Sequence, residues 1–131
     1  AGHVTIEDWA ILEGYVGVSQ FMHIGAHSFI AGQSGVRKNV PPFVKAAREP
    51  LSYAGINSVG LARRGYEKEV IEDIQNIYRT IFQKGYNTSK ALSMVEEECP
   101  TSAHRDLILQ FVRSSEKGII RGLSGSMMKT E

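Results

Sequence analysis

Four side chains near the start of the sequence could take part in chemistry: His3, Gln20, His23 and His27. Imidazole titrates near neutral pH, so each histidine could act as a general base or as a metal ligand. His23 and His27 lack a neighbouring Cys or Asp that would complete a metal site. Packing at a subunit seam, or simple exposure to solvent, is the competing interpretation for these two residues. No metal site is therefore predicted.

Two adjacent arginines, Arg63 and Arg64, follow Asn57 and precede the first long helical pattern. Paired guanidinium groups can bind the oxygens of a diphosphate through forked, charge-assisted hydrogen bonds. The sequence contains no glycine-rich phosphate loop of the P-loop or Rossmann type. It also lacks the interleaved basic and aromatic residues that would indicate RNA binding. The pair is compatible with an anionic ligand, and no nucleic-acid partner is predicted.

The elements that position these side chains are indicated by aliphatic residues at every sixth position: Ile6, Leu12, Val18, Ile24, Ile30 and Val36. Neither an α-helix nor a lone strand requires a period of six. A parallel β-helix does, because each hexad forms one flat side of a prism and turns one aliphatic residue inward. The alternative, a run of short strands in an ordinary sheet, needs reversal turns that would break the spacing. The spacing does not determine the handedness of the coil.

The hexad pattern ends after Val36, where Pro41-Pro42 and then Pro50 interrupt it. From Tyr66 the apolar spacing becomes helical, with Val70, Ile74, Ile77 and Ile81 on one face and Gly85 at the end. We therefore predict β-helix coils over 1–40, an irregular crossing loop over 41–65, a helical domain over 66–122 and a disordered tail over 123–131.

Two shorter helices are predicted after the first. Asn87-Thr88-Ser89 offers caps for one of them, which Pro100 ends, and Thr101 or Ser102 opens the other. The inward positions of that last helix are predicted to be Leu107, Ile108, Phe111 and Val112.

Length and composition narrow the class of protein. A chain of 131 residues fits one domain, or one domain with a small appendage. It has no apolar run that could cross a membrane, and its one cysteine, Cys99, cannot form an internal disulfide. We expect no signal peptide. We expect a cytoplasmic location and no membrane insertion. Residues 37–64 carry six bases against one acid, a local net charge of +5 that suits an anionic partner.

The chain opens as Ala-Gly-His-Val, directly in the repeat. Two coils with an open N-terminal edge would expose unpaired strand groups and apolar core. We therefore expect this chain to be the C-terminal part of a longer β-helix.

Four motifs carry a resemblance to a known family: the AGHV opening, QFMHIGAH over 20–27, SGVRKNVPP over 34–42 and GINSVGLARRG over 55–65. With them, essentially the whole chain to Gly122 resembles the C-terminal half of the bacterial UDP-N-acetylglucosamine O-acyltransferases of lipid A biosynthesis. The resemblance implies a left-handed parallel β-helix, followed by a small helical bundle, that forms a homotrimer with active sites between neighbouring prisms.

The resemblance also implies the reaction. The family moves an R-3-hydroxyacyl chain from acyl carrier protein to the 3-hydroxyl of UDP-N-acetylglucosamine, without a cofactor or a metal ion. A histidine acts as the base and a backbone amide stabilises the oxyanion. The stretch that holds this base would lie upstream of Ala1, so we expect no catalytic residue in this chain and no activity from it alone.

The motifs imply roles for individual residues as well. His3 matches a histidine near the sugar, and Gln20 matches a glutamine on the nucleotide side. Asn57 and the Arg63-Arg64 pair match residues that contact the nucleotide or the carrier protein, and Gly32 matches the floor of the acyl groove. Ser19, Pro50 and Val59 depart from the family pattern.

Two other interpretations remain. One is a different hexapeptide-repeat enzyme, such as a sugar or serine acetyltransferase or a zinc-dependent carbonic anhydrase. The helical tail and the GINSVGLARRG segment argue against it. The other is a trimerising module that keeps the scaffold without its chemistry.

Overall fold

The first part of the chain winds into three short parallel sheets. The computed structural model describes residues 1–122. Its first six strands are β1 (Thr5–Ile6), β2 (Ile11–Leu12), β3 (Gly17–Val18), β4 (His23–Ile24), β5 (Phe29–Ile30) and β6 (Gly35–Val36). β1 pairs in parallel with β4, β2 with β5 and β3 with β6, each eighteen residues apart. Three hexads therefore make one turn of a three-sided coil, as the ladder predicts.

The ladder residues point into this coil, and their burial increases along the chain. Ile24, Ile30 and Val36 are at most 1% exposed, whereas Ile6 at the open end is 52% exposed. Ile6 and Ile24 are register partners in the same sheet. The difference between them shows that a ladder residue depends for its burial on the coils stacked next to it.

The coil continues past Val36 with a shorter step. Ile24 bridges to Val40 and Ile30 pairs with Ala46, so the third turn takes sixteen residues instead of eighteen. Val40 and Ala46 are fully buried and extend the ladder. Pro41 and Pro42 lie at a corner, where no ladder N–H is needed. Pro42 packs against Gly25 so closely that a Cβ on Gly25 would lie 2.4 Å from the Pro42 nitrogen.

The crossing loop predicted over 41–65 is thus mostly regular structure. It contains β7 (Val44–Ala47), β8 (Ser52–Ile56) and the short helix α1 (Ser58–Arg63). β7 joins β5 in parallel, and β8 returns antiparallel to β7. The Glu49–Pro50 peptide bond in the turn between them is cis. In the structure, the prolines of this segment lie at a corner and in a hairpin turn. The sequence pattern alone had indicated these positions as breaks in regular structure.

Three helices follow: α2 (Lys68–Phe82), α3 (Thr88–Glu98) and α4 (Ala103–Ser114). Asn87 and Ser102 cap α3 and α4 by accepting hydrogen bonds from the backbone N–H groups of Lys90 (2.9 Å) and Arg105 (3.1 Å). Gly85, with φ +75°, follows α2 in the predicted place.

The buried faces of the helices agree with the apolar spacing except at two residues of α4. The buried α2 isoleucines Ile74, Ile77 and Ile81 are those predicted. In α4, Leu107 was predicted inward but is 38% exposed, while Leu109 is buried. The stripe is centred near Ile108 and Val112, and at 100° per residue Leu107 lies on its flank.

The helices and the chain that follows them pack against the coil. The Tyr78 hydroxyl donates to the Pro42 carbonyl at 2.5 Å, and its burial raises its pKa well above the ordinary value. Beyond α4, Ile119 bridges to Asn39 and Arg121 bridges to Ser52. The predicted tail over 123–131 lies outside the described residues. Within residues 1–122, no helix has the length and apolarity needed to cross a membrane.

Candidate functional site

The corners of the coil carry a second six-residue repeat, made of large side chains: His3, Trp9, Tyr15, Phe21, His27 and Gln33. All six have positive φ, between 56° and 65°. This left-handed conformation is uncommon for residues other than glycine. Because the repeat is in phase with the coil, residues eighteen apart fall on the same edge of the prism. Each edge therefore presents a column of side chains.

The first edge holds His3 and Phe21. Their rings are stacked, with centroids 5.0 Å apart and 8° between the planes. The Phe21 N–H donates to the Gly2 carbonyl at 3.2 Å, which ties the two coils at this corner. The Lys117 ammonium lies 5.7 Å from the Phe21 ring centroid. Gln20 is exposed beside Phe21, so His3 and Gln20, two of the five predicted substrate-binding residues, share one edge.

The second edge holds Trp9, His27 and Phe43, one from each coil. The His27 ring is stacked between the other two, with centroids 6.4 Å from Trp9 and 5.8 Å from Phe43. Arg64 reaches this column from the end of α1. Its Nη1 lies 3.1 Å from His27 Nδ1, and its guanidinium carbon lies 5.1 Å above the Trp9 ring. The Tyr66 hydroxyl oxygen lies 3.2 Å from His27 Nε2.

The electrostatics of this edge favour a neutral His27. Partial burial lowers the pKa of His27 from its ordinary 6.5, and the Arg64 charge lowers it further. Asp8 acts in the opposite direction, with a smaller effect on this pKa. The imidazole is therefore uncharged at neutral pH and can accept a hydrogen bond.

Asn57 holds α1 against this edge. Its Nδ2 donates to the His27 carbonyl at 3.0 Å, and its Oδ1 accepts from the Gly60 N–H at 3.2 Å as the N-cap of α1. The side chain is buried between them. Asn57 thus fixes the helix that ends at Arg63 and is capped by Arg64. Arg63 is exposed in the last turn, while Arg64 is half-buried in the cluster.

Gly32 lies on the third edge, next to Gln33 and across from Gly14 and Tyr15. Its N–H donates to Glu13 Oε1 at 3.1 Å, and a Cβ added here would meet the Gly14 carbonyl oxygen at 3.3 Å. Tyr15 on this edge is 91% exposed. The predicted groove residue is therefore on the surface, where an added side chain would project along this edge.

The predicted site residues consequently fall on all three edges of one coil. His3 and Gln20 share the first, Asn57 and Arg64 the second, and Gly32 lies on the third. Edges of one prism face away from each other. A single chain does not bring the whole set together around one ligand.

His23 has a partner within the chain. Its Nε2 lies 2.5 Å from Glu7 Oε2, and its ring packs against Phe111 with centroids 4.6 Å apart. Within residues 1–122, no group of three or more His, Cys, Asp and Glu side chains is arranged to hold a metal ion.

A basic cleft lies between the coil and the last described residues. It has a volume of about 340 Å³, and Arg37, Lys38 and Arg121 line it together with Leu51 and Ile119. Glu49 pairs with Arg37 at 3.1 Å. The cleft combines cationic and apolar walls, which suits an anionic partner with an apolar part.

Comparison with known proteins decides the family. A family model described as UDP-N-acetylglucosamine O-acyltransferase, domain 2, matches residues 39–120. The chain belongs to the UDP-N-acetylglucosamine O-acyltransferase family. The matched segment begins at the third coil of the prism and includes α1 together with Arg63 and Arg64 at its end.

Relatives of this family align with almost the whole chain. The acyl-[acyl-carrier-protein]–UDP-N-acetylglucosamine O-acyltransferase of Pseudomonas syringae pv. tomato is 39% identical over 121 residues, covering 92% of this chain and 47% of its own length. The enzyme of the same name from a Janthinobacterium species is 42% identical over 125 residues, covering 92% and 48%. The chain spans about half the length of the curated relatives it matches, and it aligns with their C-terminal half.

Solved structures of the family have the same fold over this region. The UDP-N-acetylglucosamine acyltransferase LpxA of Bacteroides fragilis is 47% identical with a TM-score of 0.88, over 90% of this chain and 46% of that one. The Francisella novicida acyltransferase is 34% identical with a TM-score of 0.88, over 95% and 46%.

Sequence reasoning missed the partners of the predicted residues. Phe21 was not identified as a neighbour of His3, nor were Trp9, Tyr66 and Arg64 identified as neighbours of His27. The corner repeat was present in the sequence as a second period of six. The contact between His27 and Arg64 spans 37 residues and depends on α1, a helix that no apolar spacing indicated.

Proposed function

We propose that this chain supplies the C-terminal half of an enzyme that transfers an R-3-hydroxyacyl chain from acyl carrier protein to the 3-hydroxyl of UDP-N-acetylglucosamine. This would be the first step of lipid A biosynthesis. The observation that carries the proposal is the alignment of 92% of the chain with relatives whose name states the acyl donor and the acceptor.

We further propose that the coil is a left-handed parallel β-helix of hexapeptide repeats, followed by a helical bundle. Parallel pairing at eighteen residues supports the repeat, and the likeness to solved family structures supports the handedness. The proposed division is coils over 1–40, a connecting segment over 41–65 whose strand β7 still belongs to the third turn of the coil and which continues through β8 and α1, and helices over 66–122.

The active unit is proposed to be a homotrimer with sites between neighbouring prisms. The placement of the site residues on three edges supports this, since edges of different chains can face one another across a cleft. Large exposed apolar side chains on those edges also support it: Trp9 is 64% exposed, Phe21 55% and Tyr15 91%. Sedimentation equilibrium of the assembled enzyme should give three chains, and a monomer would contradict the arrangement.

The residues of this chain are proposed to hold the substrates. His3 and Gln20 bind the sugar and the nucleotide from the first edge. Arg63 and Arg64 bind phosphate oxygens or the carrier protein, with Asn57 fixing their helix. Gly32 forms the floor of the acyl groove.

The chemistry requires a further group. A sugar hydroxyl is a poor nucleophile at neutral pH and needs a positioned base, which contributes typically 10²–10⁴-fold. We propose that the base is a histidine from the half of the enzyme that this chain does not cover. Acyl carrier protein is acidic, and the basic cleft of Arg37, Lys38 and Arg121 is a suitable surface for it.

A hybrid enzyme tests the proposal. In it, residues 1–131 replace the aligned C-terminal half of the Pseudomonas syringae relative. The hybrid is expected to form R-3-hydroxyacyl-UDP-N-acetylglucosamine from the acyl carrier protein thioester. A folded, trimeric hybrid that gives no product, beside an active parent, would contradict the proposed reaction.

A further inference from the structure

At the second edge of the coil, His27 determines the orientation of the Arg64 side chain. Arg64 extends from the end of α1 over the Trp9 ring, at 5.1 Å, and places Nη1 3.1 Å from His27 Nδ1. Guanidinium carries only donors and stays charged at any pH at which the protein is folded. Nδ1 of His27 must therefore be the acceptor.

That requirement fixes the state of the ring. A histidine that accepts at Nδ1 carries its proton at Nε2, and Nε2 faces the Tyr66 hydroxyl oxygen at 3.2 Å. Nε2–H donates to that oxygen. A protonated His27 would turn an N–H toward the guanidinium and place two cations in contact. The arrangement is thus compatible only with neutral His27 in the Nε2–H form.

The ring itself has little freedom to turn away. Trp9 and Phe43 stack on its two faces at interplanar angles of 11° and 17°, and Tyr66 meets it edge-on at 5.2 Å. The His27 backbone is also held, since its N–H donates to the Asp8 carbonyl at 3.0 Å and its carbonyl accepts from Asn57. The Nδ1 atom of His27 is consequently held in place as a hydrogen-bond acceptor for Arg64.

We propose that His27 is a positioning residue: in its neutral form it orients the Arg64 guanidinium for an anionic group of the substrate, so that the affinity for this group decreases when His27 is protonated. The inference rests on the proposed function, in which Arg64 binds phosphate oxygens or the carrier. The bond to His27 uses one of the five guanidinium N–H donors.

The pH dependence has a defined sign. The charged and titratable groups around the ring are Arg64, Asp8 and Tyr66. Burial and Arg64 hold the pKa of His27 below 6.5, and Asp8 only partly offsets them. Above that lowered pKa the ring is neutral and Arg64 is held. As the pH falls through it, the acceptor is lost and binding weakens.

Two measurements on the 131-residue chain test the inference. Nitrogen-15 NMR of the imidazole should show His27 in the Nε2–H form with a pKa below 6.5, and Arg64→Gln should raise that pKa. Titration with UDP-N-acetylglucosamine, whose diphosphate does not titrate in this range, should show affinity falling between pH 7.5 and 5.

Variants of His27 separate the orienting role from a merely structural one. Asn keeps an acceptor near the Nδ1 position, cannot titrate and tolerates positive φ. His27→Asn should retain affinity at pH 7.5 and lose this part of the pH dependence. His27→Phe keeps a ring in the stack but offers no acceptor, and should weaken binding about ten-fold at pH 7.5, because Arg64 loses the charged hydrogen bond that orients it. His23→Asn, the matched control, should leave the pH profile as in the parent.

The outcomes are distinguishable. An Nδ1–H tautomer, or a His27 pKa that Arg64→Gln does not change, would overturn the inference whatever binds. A correct tautomer with equal affinity in the parent and His27→Phe would overturn the orienting role alone. No binding of the sugar nucleotide at any pH would overturn the ligand role of Arg64 in this chain, whereas the proposed function is tested separately by product formation in the hybrid enzyme.

Discussion

The imidazole of His3 lies flat on the phenyl ring of Phe21, with centroids 5.0 Å apart and 8° between the planes. The two residues are one coil apart, and both are held at a corner by positive φ. The stacking restrains a histidine that is otherwise exposed to solvent. Phe21 therefore sets where the His3 ring points.

Removing that support should weaken sugar binding more than catalysis. Aromatic pairs of this kind are worth about 0.5–1.5 kcal/mol. Phe21→Ala in the hybrid enzyme is expected to raise KM for UDP-N-acetylglucosamine about three- to ten-fold, with kcat little changed. Phe21→Tyr preserves the ring and serves as the control. Equal KM values for the alanine variant and the parent would show that His3 is positioned by other contacts.

The burial of the inward-pointing ladder residues leads to a prediction about stability. A less buried ladder residue in the same sheet serves as the control. Ile24 is fully buried, and Ile6, its register partner, is 52% exposed. Burying such a side chain is worth about 1.5–3 kcal/mol, and an unpaired buried carboxylate adds a further cost. Ile24→Asp should severely lower the free energy of unfolding of the isolated chain in urea, and Ile6→Asp should cost much less.

Equal losses from the two aspartate variants would contradict the burial gradient along the coil. A melting temperature for Ile24→Asp within one or two degrees of the parent would contradict the inward direction of this side chain.

The two adjacent arginines should both contribute to substrate binding, but only Arg64 should also contribute to stability. Charge-assisted bonds to phosphate are worth about 1.5–3 kcal/mol. Alanine at either position in the hybrid should raise KM for the sugar nucleotide or the carrier protein about ten-fold. Only Arg64 also contacts His27 and Trp9. Thermal unfolding should therefore show a lower midpoint for Arg64→Ala and an unchanged one for the exposed Arg63→Ala.

If both KM values stay at the parental level in both variants, the pair is a surface feature. Equal shifts of the unfolding midpoint in the two variants would contradict the structural role of Arg64.

Gly32 should determine the acyl length. It lies on an exposed corner, and a side chain there would begin 3.3 Å from the Gly14 carbonyl oxygen. Gly32→Met in the hybrid should shift the preference to a markedly shorter acyl chain, because the added side chain fills the proposed groove floor. Gly32→Ala is the matched control for the close contact alone. Competition among thioesters of different length measures the shift, and an unaltered profile would place the groove floor elsewhere.

The coil and the three long helices could be predicted because each carries a period that only one backbone geometry explains. The six-residue spacing predicted a parallel coil of stacked hexads, in which Ile6 pairs with Ile24. The helical spacing predicted the buried isoleucines of α2. The hairpin of β7 and β8 could not be predicted in this way. Proline is compatible with a corner or a turn as well as with the end of a structure, and Pro42 occupies a corner against Gly25.

The candidate site rests on residue types, and its arrangement could not be predicted. Motif resemblance proposes His3, Gln20, Gly32, Asn57, Arg63 and Arg64 as site residues, yet it could not show that these residues lie on three edges. Asn57 is the clearest case, since its buried amide bonds to His27 and Gly60 within the chain. The contact with His27 joins segments that are thirty residues apart, and no local spacing encodes it.

The most direct test of the central claim is an acyl-transfer assay of the isolated 131-residue chain beside the hybrid enzyme. The claim is that these residues hold the substrates while the catalytic base comes from the other half of the enzyme. The isolated chain should give no product above background, and the hybrid should give product under the same conditions. Robust turnover by the isolated chain, abolished by His3→Ala, would contradict the claim and make His3 the base.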